Sequence, residues 1–441
     1  MNIPETIIGG QEGNFEIDPE LGEGEEGYVY EIGSSAFEEY EIVNVNISDS
    51  VRRMGSSAFR NGNIQNLTLG KRVEEIGWRA FQSNNLEEVT IPDRVEEIGP
   101  WAFENNSLQE VIISDRVEEI GSSAFAYNDL EEVIIPDRVE EIGSSAFRDN
   151  SLQEVTIPDR VEEIGSLAFA YNDLEEVTIG DRVEVIGVGA FRNNSLQEVT
   201  IPDRVEVIGN FTFGENNFNN FAADVTFEAP EKITYLSGFS DNDLIGEVDL
   251  TPFVNLGEIG GYAFRGNNIE EVMIPNNVWR IGDNAFAYNN FSEFDDITFE
   301  APENIIYLSG FRGNDFVAEY DFLTQFENLE VIGGSSGAGA FQHNNLEKVT
   351  IPDGVKEIRY SAFESNNLTE VTISDSVEEI GGYGFSSNNL GKITIGDNVS
   401  FNFFWPSFYY NPGDFGEDYI NNDRIGGTYE YDSESDEWIM Q

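Results

Sequence analysis

Cysteine is absent from the 441 residues, and histidine occurs once. Without a thiol there is no disulfide, no thiolate metal site and no cysteine nucleophile, and the redox compartment stays open. A lone imidazole does not assemble the usual nucleophile–base pairs or zinc sites. His343 sits in FQHNN, where other repeats carry Tyr127, Asp149 or Ser365, so it reads as a variable solvated residue. Basic residues are also scarce, 23 Lys and Arg against 84 Asp and Glu, for a net charge of -61. That balance excludes nucleic acid and anionic membrane surfaces as partners and favours cations or basic surfaces. Only Lys71, Lys232, Lys348, Lys356 and Lys392 are lysines. Acid excess with little lysine suits a protein working in concentrated salt, where charges are screened within about 3 Å at ~1 M. No apolar run is long enough to span a membrane. The start, MNIPETIIGGQEGNFEIDPE, has no basic region followed by an apolar run. The expectation is therefore a protein kept inside the cell, or one whose leader was removed or lies outside this segment.

What the chain has in abundance is repetition. The Phe of each Ala-Phe pair recurs at Phe37, Phe59, Phe81, Phe103, Phe125, Phe147, Phe169 and Phe191, then at Phe213, always 22 residues apart. A fixed period of this size marks a solenoid, in which a coil buries its apolar face only by stacking on its neighbours. After Phe213 the spacing loosens to Phe239, Phe264, Phe286, Phe311 and Phe341, in steps of 26, 25, 22, 25 and 30. Two longer units match, VTFEAPEKITYLSGF at 225–239 and ITFEAPENIIYLSGF at 297–311. Their extra residues are expected either to project as paired loops on one side or to bend the coil wall. The predicted organisation is an N-terminal cap (1–32), a solenoid (33–411) and a C-terminal cap (412–441). The solenoid has regular repeats at 33–217, longer ones at 218–341 and regular ones at 342–400. In the C-terminal cap, GGTYEY and EWIM flank DSESD as a β-hairpin.

Within one repeat the apolar positions are constant, as in Leu86, Val89, Ile91, Val95, Ile98, Ala102 and Phe103. The alternation V-x-I before Pro92 predicts a strand of about five residues. Gly99 and its equivalents Gly77, Gly121, Gly143, Gly165, Gly187 and Gly209 are expected to allow a turn, and the S-S-A-F that follows a single helical turn. A column of Asn84, Asn106, Asn128, Asn150, Asn172, Asn194 and Asn216 is expected to be buried and to satisfy backbone groups of each coil and its neighbour.

The string L-x-x-V-x-I-P-x-x-V-x-x-I-G-x-x-A-F-x-x-N resembles the BspA-type (Treponema-type) leucine-rich repeat over roughly 33–411. The resemblance implies a curved right-handed leucine-rich-repeat solenoid, mainly short parallel β-strands with short helical turns and loops, its sheet on the concave side. It also implies a protein of the cell surface or secreted, since studied members are often surface proteins that bind matrix proteins or other cells.

Strand alternation places Glu88, Glu110, Glu132, Glu154, Glu176 and Glu198 in one outward row with neighbours about 4.8 Å apart. No basic row matches it, so the row is the candidate cation or partner surface, with calcium or monovalent cations held loosely and no other cofactor implied. Beside the Pro turn, Asp93, Asp115, Asp137, Asp159, Asp181 and Asp203 adjoin Arg94, Arg116, Arg138, Arg160, Arg182 and Arg204, where opposite signs are expected to neutralise. No catalytic residue and no firm metal ligand emerges, because so many acids on a regular scaffold make accidental pairs. Asn-x-Ser/Thr triplets at Asn46, Asn66, Asn105, Asn193, Asn210, Asn290 and Asn367 would accept glycans in an exported chain. The sequence thus reads as a non-enzymatic binding or adhesion scaffold with an acidic repeat surface, whose partner is a basic protein or glycan ligand. A self-assembling structural protein that stacks on its own copies is the alternative, and a carboxylate hydrolase ranks below both.

Overall fold

The computed structural model describes residues 14–17, 30–317, 322–334, 337, 339–401, 406–413 and 415–441. Most of the predicted N-terminal cap lies outside the described residues. The chain divides into two compact units, Met1–Asn217 with Thr226–Glu228, and Phe218–Val225 with Ala229–Gln441.

In the first unit each 22-residue coil returns to the same register as the coil before it. Two strands in most of the coils form parallel ladders. One ladder is made of segments such as Glu88–Thr90, paired with Glu110–Ile112, and Glu154–Thr156, paired with Glu176–Thr178. The other is made of two-residue strands, Glu75–Ile76, Glu97–Ile98, Glu119–Ile120, Glu141–Ile142 and Glu163–Ile164, continuing to Val185–Ile186 and Val207–Ile208. This second ladder was not anticipated. Two residues are too short to show alternation, and E-E-I-G reads locally as the approach to a turn.

The constant apolar positions close the interior. Leu86, Val95, Ile98, Ala102 and Phe103 are fully buried, and Val89 and Ile91 nearly so. The phenylalanines stack ring on ring: centroids of Phe37, Phe59, Phe81, Phe103, Phe125, Phe147, Phe169, Phe191 and Phe213 lie 5.0–5.6 Å apart with planes within 12°. Aromatic contacts contribute about 0.5–1.5 kcal/mol each beyond the burial of their area.

The asparagine column is buried as expected, save Asn106, which is half-buried. Asn128 donates through Nδ2 to the carbonyls of Phe103 (3.0 Å) and Phe125 (3.1 Å), while its Oδ1 accepts from the backbone N–H of Leu108 at 3.0 Å. The same pattern recurs at Asn84, Asn150, Asn172, Asn194 and Asn216. Each amide thereby ties the loop of its own coil to that of the previous one.

Two local expectations are corrected. Gly99 does not serve a turn by unusual dihedrals. A Cβ there would stand 2.5 Å from the carbonyl oxygen of Ile76, and at Gly121 2.6 Å from that of Ile98, so glycine is required by the approach of neighbouring backbones. The segment after it is not helical. It forms successive turns, with Ala102 N–H donating to Gly99 O (3.1 Å) and Glu104 N–H to Trp101 O (3.3 Å). The positive φ falls on non-glycine residues such as Trp101 (57°) and Asn105 (57°), once in each turn.

The second unit repeats this plan with longer coils. Its short ladder runs Tyr235–Leu236, Glu258–Ile259, Arg280–Ile281, Tyr307–Leu308, Val331–Ile332, Glu357–Ile358, Glu379–Ile380 and Ser400–Phe401. The matching FEAP segments lie in the coil wall and not in projecting loops: Ile233, Leu236 and Phe239 are buried in one, Ile305, Leu308 and Phe311 in the other. Their extra residues make short helical turns, Pro230–Lys232 and Pro302–Asn304, preceded by Phe221–Asp224 and Phe294–Asp296. Phe221 and Phe294 are themselves buried. These insertions are bends filled with core.

At the C-terminal end, Lys392–Ile395 pairs antiparallel with Gly427–Asp432, which pairs antiparallel with Glu437–Met440. The helix Phe415–Asn421 lies over the last coil, where Phe415 meets Phe408 at 4.9 Å between centroids. Tyr419 Oη donates to Gly396 O at 2.6 Å and accepts from Val399 N–H. Buried Phe415, Tyr419, Tyr429 and Trp438 thus close the apolar end of the stack.

Candidate functional site

Within the first unit, strands such as Glu88–Thr90 and Glu110–Ile112 expose their first and third residues and bury the valine between them. Glu88 is in register with Glu110, and Glu154 with Glu176. Glu132 occupies the equivalent place on a coil segment outside a regular strand, and Glu198 directly precedes the strand Val199–Ile201. Both are exposed. The third positions form a parallel column, mostly Thr90, Thr156, Thr178 and Thr200, but Ile112 and Ile134 in two adjacent coils. Ile112 is 53% and Ile134 74% exposed. An open groove of about 560 Å³ lies beside Ile112, lined by Leu67, Thr68, Lys71, Glu88, Glu110 and Ile112.

A second carboxylate column, which sequence reasoning missed, follows the short ladder: Glu75, Glu97, Glu119, Glu141 and Glu163 stand in register. Partial burial, followed by the charges of Glu97 and Glu141, pushes the Glu119 carboxyl above the usual carboxylate range. The signal available in the sequence was V-E-E-I, in which Val95 and Ile98 are core and the second Glu precedes the inward Ile.

Four arginines of the column do not pair with the adjacent aspartates, as the sequence suggested, but reach back one coil. Arg94 pairs with Glu74 (3.3 Å), Arg116 with Glu96 (2.9 Å), Arg138 with Glu118 (4.0 Å) and Arg160 with Glu140 (3.3 Å). Side-chain register explains this, since a long guanidinium beside the Pro turn spans the distance between coils better than it folds onto its own neighbour. Other arginines lie between aromatic rings: Arg79 sits 4.0 Å from the Trp78 centroid and 5.4 Å from that of Trp101, and Arg148 lies between Tyr127 and Tyr171.

In the second unit the outward column changes character. Lys348, Glu370 and Lys392 stand in register, and Glu430 faces Lys392. Lys392 Nζ lies 2.8 Å and Lys348 Nζ 3.7 Å from Glu370. The hydrogen bond from Lys392 holds the Glu370 carboxyl below the usual range. A separate cluster surrounds Tyr307, whose hydroxyl donates to buried Asp283 at 3.2 Å and accepts from Arg359 at 3.4 Å. Burial, then Asp283, raises the Tyr307 pKa. The cluster knits neighbouring coils together.

His343 is exposed in a turn, with φ 58°. Among the described residues no group of three or more His, Cys, Asp or Glu is arranged to hold a metal ion, the Glu88–Glu198 row included. No described helix is long and apolar enough to cross a membrane.

The coil geometry and its columns define a leucine-rich-repeat solenoid of about 17 parallel-strand turns with little helix. The model of the BspA type leucine rich repeat region matches residues 30–152, 118–235, 214–336 and 334–410, and the chain belongs to that family. No curated protein matches it. Among solved structures it is similar to a leucine-rich repeat protein from Eubacterium ventriosum (19% identity, 81% of this chain and 80% of that chain, TM-score 0.40). It is also similar to YopM from Yersinia enterocolitica (15%, 82% and 83%, 0.47). A third is a leucine rich cell surface protein from Faecalibacterium prausnitzii (20%, 89% and 89%, 0.43).

Proposed function

We propose that the chain is a non-enzymatic scaffold that binds or adheres to another macromolecule through the outward face of its repeats. The observation that carries this reading is the row of Glu88, Glu110, Glu132, Glu154, Glu176 and Glu198, presented on rigid coils while the nearby Arg94, Arg116, Arg138 and Arg160 are engaged with other glutamates. Such a surface draws basic partners over a distance and selects them by register. Membership of the BspA-type family supports a binding role, and the setting proposed with it is the cell surface or secretion. The row also supports loose accumulation of calcium or monovalent cations in place of a defined metal site.

The test is retention of a panel of basic and acidic proteins and of charged glycans on the immobilised protein at ~0.15 M salt. Retention of basic ligands, weakened by joint Glu88→Gln, Glu110→Gln and Glu132→Gln substitution, is expected. Failure to retain any member would refute the reading. Surface proteolysis of intact producing cells checks the setting, since an exported chain is cleaved without lysis.

A further inference from the structure

We propose that Ile112 and Ile134, with Glu88, Glu110, Glu132 and Glu154 beside them, dock a basic amphipathic helix of a partner protein. This rests on the binding-scaffold reading above and names its site and partner chemistry. The first observation is the break in the threonine column. Thr90, Thr156, Thr178 and Thr200 fill the outward third position of the strand, yet two adjacent coils carry isoleucine there. These side chains add nothing to the core, which Val111, Ile113, Val133 and Ile135 already close, and they stand 53% and 74% exposed. Leu67, half-buried, extends the apolar surface along the groove wall.

The second observation is charge. The carboxylate row beside this patch has no alternating lysines, whereas the equivalent column of the second unit is neutralised as Lys348–Glu370–Lys392. An occupant must therefore bring apolar and cationic groups together in parallel lines. Geometry selects its conformation. Adjacent strands lie about 4.8 Å apart, and Glu and Ile of one strand about 6.5–7 Å apart. A helix lying across the strands offers residues at i, i+3 and i+4 with rises of about 4.5 and 6 Å, matching the strand spacing. Leucines on that stripe would cover Ile112 and Ile134 while lysines at its border meet the glutamates.

The probe is a 14-residue Leu/Lys peptide whose leucines occupy one helical face, compared with a scrambled peptide of the same composition and an all-Lys peptide. Binding is read by fluorescence anisotropy at ~0.15 M salt against the full chain. Ile112→Thr with Ile134→Thr copies the residue of the neighbouring coils, and circular dichroism checks that the fold is kept. About tenfold or greater loss of affinity is expected from that pair, by the size of an apolar side chain returned to water. Glu110→Gln with Glu132→Gln should weaken binding and flatten its salt dependence. No binding of the amphipathic peptide, equal binding of the all-Lys or scrambled peptide, or an unchanged affinity in the Ile→Thr pair would overturn the proposal. So would concentration-dependent dimerisation of the wild type that the Ile→Thr pair abolishes, since the occupant would then be a second copy. Ligands retained in the panel without peptide binding would discard this site and leave the scaffold reading standing; an empty panel would remove both.

Discussion

Replacing Asn128 tests the device that joins coil to coil. Its side chain is 7% exposed and satisfies the carbonyls of Phe103 and Phe125 and the N–H of Leu108. Asn128→Ala leaves the Leu108 N–H without its partner and takes one of two donors from each carbonyl, since Asn106 still donates to Phe103 O and Asn150 to Phe125 O. One unmet buried N–H costs about 1–3 kcal/mol and the two weakened carbonyls add to it, so about 2–4 kcal/mol is expected. Against the roughly 5–15 kcal/mol that holds a folded chain together, that is a severe defect. Asn128→Asp sharpens the test, because it keeps the shape and turns the donor into an acceptor facing two carbonyls. The introduced carboxyl favours its protonated form in the fold, so its folded pKa lies above the unfolded value. Stability relative to wild type is then best at low pH and falls as pH rises from the unfolded pKa through the raised folded one. Urea unfolding followed by circular dichroism between pH 4 and pH 8 measures both variants through the linear fall of stability with denaturant, with exposed Asn105→Asp as the control. A loss for Asn128→Ala under about 1 kcal/mol, or equal pH dependence for Asn128→Asp and Asn105→Asp, would refute the role assigned to the column.

Gly121→Ala should cost more than about 2 kcal/mol, since the Cβ meets backbone atoms of the neighbouring coil. Gly33→Ala, with nothing within 4 Å, should be near neutral, and equal effects in thermal melts would show that coil approach is not the constraint. The raised pKa of Glu119 means the folded state binds that proton more tightly. Stability from this group therefore declines as pH rises from the unfolded carboxylate pKa through the raised value, and Glu119→Gln should gain a few tenths of a kcal/mol at pH 7 after allowance for screening. Sodium chloride should raise the melting temperature of the wild type, and by less in Glu119→Gln combined with Glu97→Gln; a flat response from about 0.02 to 2 M would sink the repulsion argument. A double-mutant cycle on Arg116 and Glu96, a pair more than half exposed on both sides, should give a coupling below about 1 kcal/mol.

The repeating frame was legible in the sequence because every coil buries the same residues. The period of Phe37 to Phe213, the inward Leu86, Val89, Ile91, Val95, Ile98 and Ala102, and the amide column all follow from one-dimensional regularity. Outward glutamates were legible too, since strand alternation fixes which residues leave the core. What the chain alone left undetermined depends on the distance between coils. The close approach that demands Gly99, the register that aligns Glu97, Glu119 and Glu141, and the reach of Arg116 to Glu96 arise between residues 20–23 positions apart. The same holds for the FEAP segments, whose extra length reads equally as loop or bend until the burial of Phe221 and Phe294 decides it. Periodicity in a sequence specifies which side of the chain faces inward. Only stacking in three dimensions specifies which atoms of one coil meet those of the next, and charge pairing, steric exclusion and the docking face are properties of that meeting.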